Sequence, residues 1–435
     1  MSEKQAVKSI SLLWLGSILG AGCVFLTQAL LARELGPITF GSFAAALAMI
    51  TLVVPLASFG VGGFWLKAFG AEGWEAIRWL KNSLKYTLLT TTLVLVCLFL
   101  WAEFGPHDKN TRDLLLILSV YLLGQVAMEL VGTKLQLEER YFALALWQFL
   151  PHFLRFFLVA SLALALTQWM TLVNVAYLYA IFSIGVFGVG VLFMWRMYRG
   201  QLALKGHGEQ NNSVGQLVTL PSMKQVATQS WTFGLAGVFH LIYFQSDIIL
   251  LKYISGDEAA GIYNVAFVVM VAVYMLPSVI YQKYLLPKIH RWANHERKKF
   301  YQVYRSGNKF MLMLGLLSMG AIWLLSPWGV TLLFGDNYKE ALIPLSILAL
   351  AAPIRFVATN VGSVLVTQEY MQIKVYYMGG VALINVVLNL FLIPNYGVIG
   401  AAIATVLSEL SLLLIYFWGA SRLVFIKEAR SNFDI

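Results

Sequence analysis

Residues 383–405 read LINVVLNLFLIPNYGVIGAAIAT, two apolar runs joined by a short segment that contains proline and glycine. Pro394 cannot extend the helix before it, and Asn395 and Gly397 tolerate the left-handed backbone that a chain reversal needs. The apolar runs on either side are therefore predicted to form a tight hairpin of two helices. Gly400 and the alanines after it are small enough to let a neighbouring backbone approach closely, as packed membrane helices require.

Two asparagines in this hairpin, Asn385 and Asn389, lie four residues apart and so share one helix face. In hydrocarbon their amides need hydrogen-bond partners, so this face is expected to point into the protein. Both asparagines are therefore candidate substrate-binding residues.

The composition is that of an integral membrane protein. Of the 435 residues 59% are hydrophobic and 12% are charged, and the mean hydropathy is +0.74, whereas a soluble protein has about 25% charged residues. Apolar runs of about 20 residues span a bilayer as helices. Twelve such runs are predicted, approximately at 9–32, 40–66, 84–103, 113–133, 142–166, 170–195, 225–250, 259–282, 308–327, 341–364, 375–393 and 397–420.

Positive charge is distributed unevenly between the predicted loops. Of the 31 Lys and Arg residues, 24 fall at the termini and in the loops on the same side, five fall on the opposite side, and Arg155 and Arg355 fall inside spans. The positive-inside rule then predicts that both termini are cytoplasmic. The net charge of +10 is thus a topology signal and does not indicate a nucleic-acid partner.

The longest polar segment, residues 196–224, divides six predicted spans from six. We predict an N-terminal six-helix bundle over 1–195, a flexible cytoplasmic linker over 196–224 and a C-terminal six-helix bundle over 225–435. An even number of spans per half predicts parallel repeats related by a pseudo-two-fold axis along the membrane normal, with the substrate path between them. A weak internal repeat at an offset of 220 residues supports this, aligning Gly36 with Gly256, Gly41 with Gly261, Phe43 with Tyr263 and Ala46 with Ala266.

The hairpin resembles a segment of bacterial polysaccharide flippases of the multidrug, oligosaccharidyl-lipid and polysaccharide exporter superfamily, in which N-x-x-x-N-x-x-x-x-P-x-x-G-x-x-G-A-A-x-A-T recurs. The resemblance extends to L-G-P and F-G within residues 35–41, G-I-Y at 261–263 and F-G at 334–335. It implies an ion-coupled exporter or antiporter of the bacterial inner membrane that flips polyprenyl-pyrophosphate-linked oligosaccharide for O-antigen, capsule or exopolysaccharide biosynthesis. The implied partners are that lipid, a proton or sodium ion, the bilayer, and polysaccharide polymerase or ligase machinery.

Ionisable side chains inside spans are the candidates for the mechanism, because each costs about 2.5–3.5 kcal/mol at a helix centre unless it is sheltered from lipid. Arg155 shares a helix face with Gln148 and His152, and Arg355 lies midway along another span. Two interpretations stay open. The arginines either face each other across a cationic cavity and hold the substrate's pyrophosphate, or each pairs with a buried carboxylate and holds its bundle together. The resemblance adds Arg33, before the L-G-P turn, to the substrate-binding residues.

Three acidic residues inside spans are the candidates for ion coupling. Asp247 is preferred because it shares a helix face with His240 and Tyr243, and Glu129 and Glu409 are the alternatives. Each carboxylate can carry the coupling ion or can pair with one of the arginines.

The sequence does not favour an enzyme. The ATP-binding motif G-x-x-x-x-G-K-[ST] does not occur, and His295-Glu296 lacks the second His of H-E-x-x-H. No cofactor or metal site is predicted, and Cys23 and Cys97, both inside spans, do not indicate a disulfide. The main alternative function is a cation-coupled drug or metabolite exporter of the same fold. A membrane glycan polymerase or ligase is a weaker alternative, because the predicted outside loops are short.

The predicted topology can be tested with a reporter enzyme fused to the chain. Fusions after Gln210 and after Arg430 should report the cytoplasm, and a fusion near Asn337 should report the outside. An outside signal at Gln210 would overturn the span count.

Overall fold

The computed structural model describes residues 3–205, 220–278, 289, 292, 296–366 and 370–425. These residues form α-helices joined by short turns and 3-10 segments, with no β-strand among them, which confirms the predicted all-α class. The α-helices are α1 (Glu3–Ser58), α2 (Val61–Glu72), α3 (Ile77–Phe104), α4 (Lys109–Leu137), α5 (Tyr141–Ala165), α6 (Leu172–Tyr198), α7 (Met223–Ser255), α8 (Asp257–Ser278), α9 (Arg297–Phe334), α10 (Leu342–Ala349), α11 (Ala351–Val364) and α12 (Met371–Gly419).

Eight stretches of helix in the described part of the chain are long and apolar enough to cross a membrane, and a bent pair, Asp336–Ala349 with Ala351–Val364, makes a ninth. The first stretch, Leu13–Phe104, has 92 residues and contains three predicted spans, and the last, Met371–Val424, has 54 residues and contains two. One span needs only about 20 residues. The predicted multi-pass architecture of about twelve spans is therefore confirmed for the described residues.

The predicted hairpin forms at Gly397, where α12 leaves the helical conformation (φ 52°, ψ −129°). A Cβ atom at Gly400 would lie 2.4 Å from the carbonyl oxygen of Leu392. A continuous helix separates residues eight apart by about 12 Å, so the chain must double back between them. Gly36 (φ 73°, ψ 169°) interrupts α1 in the predicted L-G-P turn, and glycine adopts these positive φ angles without a Cβ clash.

The chain divides into two compact units. Unit 1 is Met1–Thr27 with Ala46–Leu241, and unit 2 is Gln28–Ala45 with Ile242–Ile435. A segment of α1 therefore belongs to unit 2. The predicted linker is described only at its ends, since residues 206–219 lie outside the described part of the chain. The bundle boundaries at 195 and 225 stay a prediction.

In unit 1, α4 packs against α3, α5 and α6. Small residues bring α4 and α6 close together. A Cβ atom at Gly124 would lie 3.0 Å from the Cβ of Ser183, and one at Gly190 would lie 2.6 Å from the Cβ of Ala127. Close backbone packing of this kind stabilises helix pairs where lipid removes the hydrophobic driving force.

In unit 2, two glycines that the internal repeat aligns, Gly41 and Gly261, contact each other. A Cβ atom at Gly41 would lie 1.8 Å from the carbonyl oxygen of Asp257 and 2.8 Å from the amide nitrogen of Gly261. A Cβ atom at Gly261 would lie 2.1 Å from the carbonyl oxygen of Pro37. The glycines of the F-G and G-I-Y motifs are thus explained by backbone packing of α1 against α8.

Gly41→Ala should lower the stability of the purified protein by about 1–3 kcal/mol, because the new methyl group overlaps backbone atoms that cannot rotate away. Gly22→Ala is the matched control on α1, since a Cβ atom at Gly22 meets nothing within 4 Å. The measurement is the midpoint of thermal unfolding in detergent. Equal midpoints for the two variants would contradict the packing of α1 against α8.

Candidate functional site

Asp247 of α7 is the centre of a hydrogen-bonded site in unit 2 and is only 1% exposed. Its Oδ2 accepts hydrogen bonds from the hydroxyl groups of Tyr263 (2.5 Å) and Thr405 (2.5 Å). Its Oδ1 accepts one from Nδ2 of Asn389 (2.6 Å). Such bonds replace the hydration that the carboxylate loses on burial. No Lys or Arg among the described residues forms an ion pair with it.

Asn385 extends this site, because its Oδ1 accepts a hydrogen bond from the Ser246 hydroxyl at 2.7 Å. Both predicted asparagines are fully buried, and the Gly397 turn places their arm of α12 beside the arm that carries Thr405. The site therefore brings one carboxylate, two carboxamides and several hydroxyl groups together. Oxygen atoms of these types bind a proton or a small hard cation.

Arg355 and Glu409 form an ion pair in the same unit. The Nη1 atom of Arg355 lies 3.1 Å from Oε1 of Glu409, whose side chain is 1% exposed. The guanidinium carbon also lies 5.1 Å from the ring centroid of Phe244 and 5.8 Å from those of Tyr243 and Tyr274. Of the two interpretations left open by the sequence, the observed contact is the pairing of Arg355 with a buried carboxylate. Substrate binding by Arg355 stays a prediction.

Arg155 of α5 has a different environment, in unit 1. It is 7% exposed, and its guanidinium carbon lies 4.7 Å from the ring centroid of Tyr179, 5.1 Å from that of Tyr121 and 5.5 Å from that of Phe182. Cation–π contacts of this kind offset part of the cost of burying the charge. Among the described residues no carboxylate lies within ion-pair distance of Arg155, in contrast to Arg355.

The face of α5 that carries Gln148, His152 and Arg155 has buried nitrogen atoms without hydrogen-bond partners among the described residues. Nε of Arg155 and Nδ1 of His152 are buried and have no hydrogen-bond partner among the described residues. Gln148, the third residue of this predicted polar face, accepts a 3.4 Å hydrogen bond from Ser17 of α1. A buried donor without an acceptor costs about 1–3 kcal/mol, so a ligand that supplies acceptor oxygens would recover this energy.

The other two candidates lie apart from these groups. Glu129 of α4 accepts a 2.6 Å hydrogen bond from the Ser58 hydroxyl in unit 1. Arg33 is exposed and donates from Nη1 to the carbonyl oxygen of Leu332 at 3.1 Å, near the C-terminus of α9 in unit 2. Basic side chains commonly bind carbonyl groups at this end of a helix. Substrate binding by Arg33 and ion coupling by Glu129 stay predictions.

Several contributing residues were absent from the predicted set. Tyr263 and Thr405 hydrogen-bond to Asp247, and both stand in the quoted motifs G-I-Y and A-x-A-T, so the motifs carried a usable signal. Lys374, which the sequence assigned to a cytoplasmic loop, is half-buried in α12, with its Nζ 5.8 Å from the ring centroid of Tyr416. No feature of the hydropathy pattern distinguishes this lysine from a loop residue.

The fold and these sites define a class, that of helical multi-pass membrane transporters with charged and hydrogen-bonded groups inside each unit. A family model described as polysaccharide biosynthesis protein matches residues 6–293, and the chain belongs to this family. A relative from Haloferax volcanii, "Probable low-salt glycan biosynthesis flippase Agl15", is 23% identical over 401 residues, which are 91% of this chain and 79% of the relative. The predicted resemblance to a polysaccharide family is confirmed at the level of this family.

Solved structures of membrane transporters share the fold. The lipid II flippase MurJ in an inward closed conformation matches with a TM-score of 0.73 at 15% identity, covering 95% of this chain and 87% of that chain. An inward-facing multidrug resistance MATE family transporter of the MOP superfamily matches with a TM-score of 0.69 at 13% identity, covering 97% and 99%. At these identities the two structures show the fold alone.

Arg355→Ala should destabilise the protein, because it leaves the buried Glu409 carboxylate without its cation at a cost of about 3–5 kcal/mol. Adding Glu409→Gln removes that charge and should restore most of the membrane abundance and of the thermal midpoint. Arg155→Ala is the control, since it leaves no described carboxylate unpaired. If the double variant is as unstable as Arg355→Ala, the ion pair is not what Arg355 contributes to folding.

Proposed function

We propose that the chain is a flippase that carries polyprenyl-pyrophosphate-linked oligosaccharide repeat units across a bacterial inner membrane by alternating access. The repeat units would supply surface polysaccharide biosynthesis, as O-antigen, capsule or exopolysaccharide. The family and the Agl15 relative support the general part of this proposal, that the chain is a flippase of the glycan type. The same comparisons confirm the prediction that the chain is a transporter and not an enzyme.

The observation that supports an anionic substrate is the buried guanidinium of Arg155. Its face is covered by aromatic rings, and among the described residues its Nε has no acceptor and no carboxylate neutralises it. A guanidinium stacked on rings keeps its N–H groups in the plane for bidentate bonds to phosphate oxygens. A pyrophosphate fits this chemistry. A cationic drug would be repelled, which disfavours the exporter alternative.

Ion coupling is proposed at Asp247, where carboxylate, carboxamide and hydroxyl oxygens meet in a buried site. The competing candidate Glu409 is held by Arg355, so its carboxylate is already neutralised. Glu129 has one described hydroxyl donor and remains the second candidate. Either a proton or a sodium ion satisfies the oxygen-rich site.

Both termini are proposed to lie in the cytoplasm, on the strength of the asymmetric Lys and Arg distribution. A flippase delivers its glycan at the outer leaflet, where a polymerase or ligase must take it up. Polysaccharide polymerase or ligase machinery is therefore the proposed protein partner.

The proposed function can be tested by reconstituting the protein in vesicles with a fluorescent polyprenyl-pyrophosphate oligosaccharide. The fraction of label accessible from outside should rise with time for the native chain. Arg155→Ala should slow this by roughly ten- to hundredfold, since a hydrogen bond to a charged group contributes about 1.5–3 kcal/mol. Arg155→Lys should retain part of the rate, because lysine keeps the charge without the planar fork.

Arg33→Ala tests a competing candidate in the same assay, because Arg33 is also a predicted substrate-binding residue but is exposed and donates to a helix carbonyl. It should flip at nearly the native rate if substrate binding belongs to Arg155. Full activity of Arg155→Ala at normal abundance would refute the pyrophosphate site. Absence of flipping by the native chain would refute the function itself.

Asp247→Asn should remove the dependence of flipping on the driving ion, because a neutral amide neither takes up a proton nor attracts a cation. The measurement is the flipping rate under an imposed pH gradient and, separately, an imposed sodium gradient. Glu129→Gln tests the second candidate in the same assay, and it should respond to the gradient as the native chain does if Asp247 is the coupling site. An unchanged response in Asp247→Asn would move the coupling site elsewhere.

A further inference from the structure

A long apolar groove lies between α5 and α6 in unit 1. Both helices pack against α4, whereas they make few contacts with each other. The groove between them has a volume of about 950 Å³. The Trp147 and Phe193 rings, with their centroids 6.2 Å apart, are part of its lining.

Its walls follow a regular pattern. Every fourth residue of α5 from Leu146 to Leu162 is a leucine that lines the groove, so the leucines form one ridge along the helix. On α6 the matching positions include Ile181, Gly185 and Val189. A Cβ atom at Gly185 would meet nothing within 4 Å, so this glycine widens the groove at its middle.

The groove has charge at one end only. Arg140, just before α5, is the single charged residue of the lining; its side chain is 54% exposed, and its Nη1 lies 3.7 Å from Oε2 of the buried Glu138. The opposite end is lined by the neutral side chains of Trp169 and Asn174. At the side, Phe182 belongs both to the groove and to the ring set around Arg155. An anionic head with a hydrocarbon chain matches this distribution.

The length of the groove distinguishes between an acyl chain and a polyisoprenoid chain as its occupant. On α5 the lining runs from Ala143 to Leu162, which at 1.5 Å per residue is about 29 Å. The hydrocarbon core of a bilayer is about 30 Å thick, so an acyl chain of one leaflet covers about half of this distance. A polyisoprenoid chain of the substrate is long enough to follow the whole groove.

We infer that the groove between α5 and α6 binds the polyisoprenoid chain of the lipid-linked substrate, with Arg140 next to the anionic head at loading. The inference rests on the proposed function. The chain stays in an apolar channel on the surface of unit 1, while the head reaches the Arg155 site on the other side of Phe182. Lipid tail and polar glycan are thereby kept in different environments.

The test uses the full chain in lipid nanodiscs and a polyprenyl phosphate that carries a photoreactive diazirine on its isoprenoid chain. Illumination should label α5 and α6 peptides, identified by mass spectrometry, and unlabelled polyprenyl phosphate should compete. Gly185→Trp fills the groove and should lower this labelling by about tenfold. Gly188→Trp is the matched control, because Gly188 is also exposed with nothing within 4 Å of its Cβ position, but does not line the groove.

Both variants must first match the native chain in membrane abundance and thermal midpoint. If Gly185→Trp does not, Gly185→Phe is used in its place. Equal labelling of the position-185 and position-188 variants overturns the inference, as does labelling that a phospholipid competes as well as polyprenyl phosphate. Flipping of the lipid-linked oligosaccharide by the native chain is measured in parallel. Groove labelling without flipping supports binding of the isoprenoid chain in the groove and counts against the proposed function. Flipping without groove labelling counts only against binding of the isoprenoid chain in the groove.

Discussion

Burying charge in a membrane costs a few kcal/mol for each group, and the interior of this protein is arranged around that cost. Asp247 and Arg155 lie inside long apolar helices, and Arg355 lies in the shorter α11, which belongs to the bent pair. Each is stabilised in a different way. Asp247 accepts hydrogen bonds from neutral side chains, Arg355 pairs with Glu409, and Arg155 is surrounded by aromatic rings.

These three environments differ in whether the buried charge can still bind a ligand or an ion. Arg355 and Glu409 neutralise each other, so removing either leaves an uncompensated charge. Asp247 is satisfied by donors but carries no described counter-charge, so a proton or cation can still compensate it. Arg155 keeps both its charge and an unsatisfied Nε–H group. We therefore propose that the Arg355–Glu409 pair stabilises the structure, that the Asp247 site couples an ion and that Arg155 binds the anion.

The fold was predictable because the signals for it are local. Apolar runs of about 20 residues identify spans, and Pro394 with Gly397 identifies a reversal, without any knowledge of tertiary contacts. The inward face of Asn385 and Asn389 followed from the same reasoning, because an amide in hydrocarbon must find a partner. The motif glycines Gly41 and Gly261 were visible in the sequence, although their mutual contact was not.

The partners of the charged residues were not predictable, because they depend on which helices become neighbours. Thr405 and Glu409 share a helix face, yet one bonds to Asp247 and the other to Arg355. Spacing along a helix shows which face a side chain lies on but does not show which residue of a neighbouring helix it contacts. The assignment of residues 28–45 to unit 2 likewise depends on packing that hydropathy does not encode.

We propose that Arg155 receives the substrate's pyrophosphate while Arg355 remains bound to Glu409. A cryo-EM structure of the full chain with a polyprenyl-pyrophosphate-linked oligosaccharide would show both contacts. We expect a phosphate oxygen about 2.7–2.9 Å from a guanidinium nitrogen of Arg155, with the Arg355–Glu409 pair intact. A pyrophosphate bound away from Arg155, or bound to an Arg355 that has left Glu409, would contradict it.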